Sequence, residues 1–252
     1  MNRWHALLPN WAIFTVLTLI VVLNLISSYF QFYSISNAIT LALIPVLLTS
    51  YFYKLKFMET VFFAIFMLYF CGIAFNLFPD FSLSEKLSES SFLGAYALMI
   101  FIMLGRLKHV KFEGVVTWYL VVVAIINTYL MYAMFANVKD YFNDSVVMTL
   151  AVSKGIMLLI MAFLAFAIYL SKETSQAIIF LTVVCCFAFA DVLDFTTTMY
   201  VQFWVFEGFQ KVLQGLGLFL LCIYTYNHQE YTKGVLTNDR TESIRKSKQL
   251  TA

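Results

Sequence analysis

The sequence predicts an all-α, polytopic membrane protein, a bundle of eight transmembrane helices with both termini cytoplasmic. Three observations lead there. Of 252 residues, 62% are apolar or aromatic and 12% are charged, and mean hydropathy is +0.84. A soluble domain runs at about 45–50% apolar and about 25% charged. The apolar residues gather into stretches of about 20, the length a helix rising about 1.5 Å per residue needs to cross the hydrocarbon. The basic residues alternate from one connection to the next. The 27 Phe and 15 Tyr exclude a disordered chain, and only 4 Cys exclude a disulfide scaffold. A β-barrel is excluded because its strands alternate over about 10 residues instead of staying apolar for about 20.

Each span has its own signal. The first, Trp11–Tyr29, follows Arg3 and is followed by no small-x-small cleavage site, so it is expected as a retained helix, not a removed signal peptide. The second, Ser36–Tyr53, carries Pro45, expected to kink it and free a carbonyl near Leu41, and ends at Lys54 and Lys56. The third, Phe57–Phe78, stops at Pro79-Asp80. The fourth, Ser91–Leu107, runs into the basic stretch Arg106, Lys108, His109, Lys111. That stretch is too short for nucleic acid and reads as a topology or anionic-headgroup signal. Val115–Phe135, Val146–Leu170, Ala177–Met199 and Phe203–Tyr226 complete the set, separated by Lys139, by Lys172-Glu173 and by the minimal turn Tyr200-Val201-Gln202. A polar, basic cytoplasmic tail, expected to be mobile, occupies 227–252 after the 1–226 membrane domain.

The basic residues set the orientation. Twelve of the 16 Lys and Arg fall on the side of the termini and the even-numbered connections, against Lys86 and Lys139 on the other side. Basic residues stay in the cytoplasm during insertion, so the count favours an even number of spans in a cytoplasmic membrane, as in the bacterial inner membrane. Trp4, Trp11, Trp118 and Trp204 all fall near span ends, where indole prefers the headgroup layer. The four cysteines, Cys71, Cys185, Cys186 and Cys222, all lie within spans.

Charges inside a bilayer are costly, so the remaining ionisable residues are the functional candidates. Asp191 and Asp194 are three apart on the seventh span, and Thr198 extends their face. The eighth span carries Glu207, Gln210, Lys211 and Gln214 at i, i+3, i+4, i+7, with Glu207 and Lys211 spaced for an intrahelical ion pair. Lys154 lies in the sixth. Lys154 and Lys211 sit roughly 12 Å below the outer ends of their spans, and Asp191 falls at a similar level. Three carboxyls and two ammoniums then share one layer of the outer half. One acid is in excess and must be balanced by a proton, the usual arrangement of an acid/base pair.

Other chemistries lack their residues. His5, His109 and His228 flank the spans without HxxxH or HxxE spacing, and no GxSxG, GxGxxG or phosphate-cradling loop occurs. No metal or cofactor is implied. Asn76, Asn127 and Thr128 read as hydrogen-bonding glue between helices, and most Phe and Tyr as lipid-facing bulk.

The chain resembles the YhhN family, which includes the animal lysoplasmalogenases. Phe187-Ala188-Phe189-Ala190-Asp191-Val192-Leu193 looks like the family's F-x-x-S-D-x-x-L segment. Phe209 to Leu218, with Gln214, is similar to its final Y-x-x-A-Q-x-L-I helix, and Phe92-Leu93-Gly94-Ala95 to its F-x-x-G-x-x-x-F helix opening. Ile44-Pro45 falls where a Lys-Pro is expected and Gly72-Ile73 where a Gly-Asp is expected. The chain thus departs from the family at Ile44, at Ile73 and at Ile100, where a histidine is expected. The resemblance implies an eight-span enzyme hydrolysing the vinyl ether bond of lysoplasmalogen, a membrane lipid substrate. Asp191 is the one acid it carries over, with Asp194 or Glu207 as the second carboxyl. Lys154 or Lys211 would hold the lipid phosphate, beside Gln214.

The same residues leave other classes open. The polar cluster serves equally as helix glue in a non-catalytic sensor or scaffold of the same fold, with Glu207–Lys211 a structural pair and Lys154 snorkelling outward. A small-solute or proton-coupled carrier would use Asp191 and Lys154 as a relay, although no internal repeat links 1–125 to 126–252.

Overall fold

A computed structural model describes residues 11–30, 32–55, 57–78, 83–107, 115–138, 144–172, 174–199 and 203–250. Its secondary structure is helical throughout: α1 Trp11–Tyr29, α2 Tyr33–Lys54, α3 Thr60–Phe75, α4 Ser84–Leu107, α5 Val115–Val138, α6 Ser145–Lys172, α7 Ser175–Met199 and α8 Trp204–Leu250. Helices satisfy every backbone N–H and C=O internally, as an apolar chain must where water is absent. Among the described residues, five helical segments are long and apolar enough to cross a membrane: Ser34–Lys54, Ser84–Gly105, Ser145–Ser171, Ser175–Met199 and Trp204–Gln229. These fit an integral multi-pass protein. The apolar parts Thr18–Tyr29, Thr60–Phe75 and Val121–Ala133 are shorter. Arg3, Trp4, His5, Lys56, Pro79, Asp80, Lys108, His109, Lys111, Lys139, Glu173 and Tyr200 to Gln202 lie outside the described residues.

Several boundaries differ from expectation for local reasons. α3 has 16 residues, about 24 Å of helix. Glu59 precedes it in extended geometry, with φ −59° and ψ 134°. Beyond it the Leu77 and Phe78 amides turn back tightly to Ala74 and Phe75. α4 starts at Ser84, well before the expected Ser91. Its polar first turns read as a connection, yet Ser84 and Ser88 are buried and Ser88 Oγ donates to Gly72 O of α3 at 2.9 Å. α8 continues as helix to Leu250, beyond the expected end of the eighth span at Tyr226. That stretch contains no proline and many good helix formers. Pro45 leaves α2 assigned as one helix from Tyr33 to Lys54.

Packing is most extensive between α7 and α8, then between α4 and its neighbours α6 and α3, while α5 packs mainly on α6. Gly217 explains part of the α7–α8 approach, since a Cβ there would come within 2.7 Å of the Phe187 ring. Phe187 in turn stacks on Tyr69 of α3 at 4.9 Å between centroids. With Phe62, Phe66, Tyr96, Leu218 and Leu221 these rings form a fully buried core, so the aromatic residues are not only lipid-facing bulk. The interhelical glue is also placed differently. Asn127 and Thr128 are exposed and bond back to Val123 O and Ala124 O of their own helix. Asn24 of α1 accepts from Ser36 Oγ of α2 at 3.2 Å and donates to Thr40 Oγ1 at 3.3 Å.

Asp144 caps α6 by accepting the Val146 N–H at 2.8 Å and meets Lys86 of α4 at 2.6 Å. The Lys86 hydrogen bond, followed by the Val146 amide, holds the Asp144 carboxyl below the usual carboxylate range. Its stabilising effect is therefore complete above about pH 4, the value of an unfolded aspartate, and fades as pH falls through the lower folded value. Asp144→Asn is expected to melt below wild type at neutral pH, with the gap closing at the acid end. Thermal midpoints in detergent across that range measure it, and a gap independent of pH would contradict it.

Candidate functional site

Antiparallel packing of α7 on α8 turns two sequence stripes toward each other. The last turns of α7 bring Asp191, Asp194, Thr197 and Thr198 to one wall of a cavity of about 360 Å³. The first turns of α8 bring Trp204, Glu207, Gln210, Lys211 and Gln214 to the opposite wall. Asn37 from the start of α2, Ile73 and Asn76 from the end of α3, and Phe92 of α4 also line it. All of these lie toward one end of the bundle, above the Tyr69–Phe187 stack.

Five of the six candidate residues read from the sequence, Asp191, Asp194, Glu207, Lys211 and Gln214, line this one cavity. Lys154 does not. Its ammonium lies 2.9 Å from both oxygens of Glu89, donating to Oε1, and 5.8 Å from the centre of the Phe92 ring. Lys154 is therefore tied to α4 beside Phe92, a residue of the cavity wall. The structure places this candidate phosphate holder in an ion pair with Glu89, as a partly buried ammonium takes the nearest carboxylate. The expected Glu207–Lys211 pair is also replaced: Lys211 Nζ donates to Asn37 Oδ1 at 2.5 Å, joining α8 to α2.

The two aspartates have different partners. Tyr96 Oη donates to Asp191 Oδ2 at 2.8 Å. Gln210 Nε2 donates to Asp194 Oδ1 at 2.7 Å, bridging α8 to α7. Both donors are neutral, so neither aspartate has its charge cancelled by a direct ion pair. Glu89, which sequence reading passed over, brings the carboxyls in this region to four against two ammoniums. Three carboxyls, those of Asp191, Asp194 and Glu207, face the cavity itself.

Glu89, Tyr96 and Asn37 are the residues the sequence reading missed. Glu89, Phe92 and Tyr96 follow i, i+3, i+7 spacing and so share a face of α4, a signal present in the sequence. It went unused because the stretch 84–90 reads as a connection and Tyr96 as one aromatic among many. Asn76, expected as glue between helices, terminates α3 and lines the cavity. Among the described residues no group of three or more His, Cys, Asp or Glu side chains gathers to hold a metal ion. Comparison with protein families, with characterised proteins and with solved structures finds no match for this chain.

Proposed function

We propose that this chain is an eight-span protein of a cytoplasmic membrane, with both termini inside, and that its cavity hydrolyses the vinyl ether bond of a lysoplasmalogen-type lipid. One observation carries the reading: Asp191 and Asp194 line the same cavity, each bonded to a different neutral donor, at one end of an apolar bundle. The likeness of the Asp191 segment to the YhhN family supplies the substrate class. Ile73, which stands where that family has an acid, lines the same cavity, so Asp194 or Glu207 provides the second carboxyl in this chain.

In the proposed reaction the Asp191 carboxyl gives its proton to the alkene carbon remote from the ether oxygen, leaving an oxocarbenium ion. Asp194 and Glu207 stabilise that cation. Water adds to the oxocarbenium carbon, and its proton passes to a carboxylate. The hemiacetal then collapses: its hydroxyl proton passes to a carboxylate, the carboxyl protonated in the previous step gives its proton to the ether oxygen, and the bond between the former vinyl carbon and that oxygen breaks, giving a fatty aldehyde and a glycerophospho headgroup. Lys211, the ammonium that faces the cavity, and Gln214 hold the phosphate.

A carrier would need a polar route through the bundle. Below the cavity lies instead the fully buried apolar layer of Phe62, Phe66, Tyr69, Phe187 and Leu218, which favours a dead-ended site. The test is aldehyde release by the purified full chain in vesicles containing lysoplasmalogen. Aldehyde and glycerophospho headgroup are expected in equal amounts, and the saturated 1-alkyl ether, with no alkene to protonate, is expected to remain intact. No aldehyde above the heat-treated control would overturn the reading.

A further inference from the structure

Asp191 is presented to the cavity by a residue on another helix. Tyr96 of α4 is 1% exposed, and its ring sits 6.1 Å from that of Tyr69 and 6.3 Å from that of Phe187. Packed beside this stacked pair, the phenol has little freedom to swing, and its hydroxyl reaches Asp191 Oδ2 at 2.8 Å. The terminal torsion of an aspartate is otherwise broad and two-fold, so its two oxygens exchange readily. A donor held by a rigid aromatic cluster removes that freedom.

We infer that Tyr96 is a positioning residue for Asp191, pinning Oδ2 so that Oδ1 is the carboxyl oxygen turned to the bound lipid. The inference rests on the reading of Asp191 as the acid. Proton transfer to carbon demands alignment, with reacting atoms about 3–3.5 Å apart. Two oxygens sharing the role at random would lose much of that alignment. The acid is thereby set by three elements: α7 supplies the carboxyl, α4 orients it, and α3 supplies the Tyr69 ring that holds Tyr96 in place.

Tyr69 is too close to serve as a control. Its hydroxyl is buried beside that of Tyr96 and so belongs to the same cluster, whereas Tyr51, buried at the far end of α2 from Asn37, donates to Gln229 Oε1, so Tyr51→Phe deletes a buried phenol hydroxyl without touching Asp191. In the full chain in vesicles, Tyr96→Phe is expected to lower kcat for aldehyde release about 10–100-fold, the span of one hydrogen bond to a charged group. KM should stay within about 2-fold, since no substrate contact is lost. Tyr51→Phe is expected to keep the wild-type rate.

Infrared difference spectra give a readout that mere packing does not move. The carboxyl or carboxylate band that vanishes in Asp191→Asn is expected to shift in Tyr96→Phe and to stay in place in Tyr51→Phe. Should Tyr96→Phe accumulate poorly, fluorinating the ring at position 96 keeps the hydroxyl, sharpens its donation and is expected to move the same band. An unmoved band in the Tyr96 variant examined, or wild-type kcat in Tyr96→Phe, overturns the inference. Full activity in Asp191→Asn overturns instead the reading beneath it, whatever the Tyr96 variants do.

Discussion

Asp191→Asn is expected to reduce aldehyde release from lysoplasmalogen by about 10²–10⁴-fold, the usual contribution of a positioned general acid, while the protein still accumulates in the membrane. The amide matches the carboxyl in shape and still accepts from Tyr96 Oη, so the bond that now runs to Oδ2 at 2.8 Å survives the change. What it cannot do is deliver a proton to carbon. Asp194→Asn is expected to be impaired as well, because Asp194 faces the same cavity and accepts from Gln210 across the α7–α8 interface. Its deficit should fall mainly on kcat, as expected for a group whose charge matters most in the transition state. Single-turnover assays of both variants decide the matter. Unimpaired turnover in Asp191→Asn eliminates that residue as the acid.

Breaking the Glu89–Lys154 pair is expected to carry the largest stability effect. The two side chains are only 19% and 13% exposed, and they join α4 to α6, one of the more extensive contacts in the bundle. Lys154→Met leaves the Glu89 carboxylate without its counter-ion in a poorly solvated place, at a cost of about 3 kcal/mol. Removing both charges, as in Glu89→Gln with Lys154→Met, leaves nothing unpaired and is expected to recover most of the loss. Thermal unfolding in detergent of wild type, the two single variants and the double variant closes this cycle. Additive losses would mean that the two side chains do not act as a pair. The same proteins test the phosphate-holding role that depth alone suggests for Lys154. A double variant that folds and turns over with an unchanged KM excludes that role, whereas a KM raised many-fold would support it.

Why some of this was readable from the sequence, and some was not, follows from the range of the forces involved. The segments Trp11–Tyr29 and Ala177–Met199 could be drawn almost to the residue, because a run of apolar side chains is a local property and lipid leaves the backbone few alternatives to a helix. The stripes Asp191/Asp194 and Glu207/Gln210/Lys211/Gln214 were legible for the same reason, since helical periodicity alone places their members on common faces. Glu89 was not legible. Its turn of α4 has the composition of a connection, and its helical state rests on Ser88 reaching Gly72 and on Glu89 meeting Lys154, a partner 65 positions away. Asn127 and Thr128 show the converse. Their composition suits contacts between helices, but both lie on an exposed face of α5 and bond back to their own carbonyls.

Composition and periodicity therefore determined the membrane-embedded, all-helical character of this protein and the two polar faces that meet at its site, because both depend on residues within a few turns of one another. The choice of partner for each charge belonged to the packed bundle: Lys154 to Glu89, Lys211 to Asn37, Asp191 to Tyr96. A charge or hydrogen-bond donor held in poorly solvated surroundings settles on the nearest group that complements it. Which group is nearest depends on how helices distant in the chain are rotated and set in depth against each other.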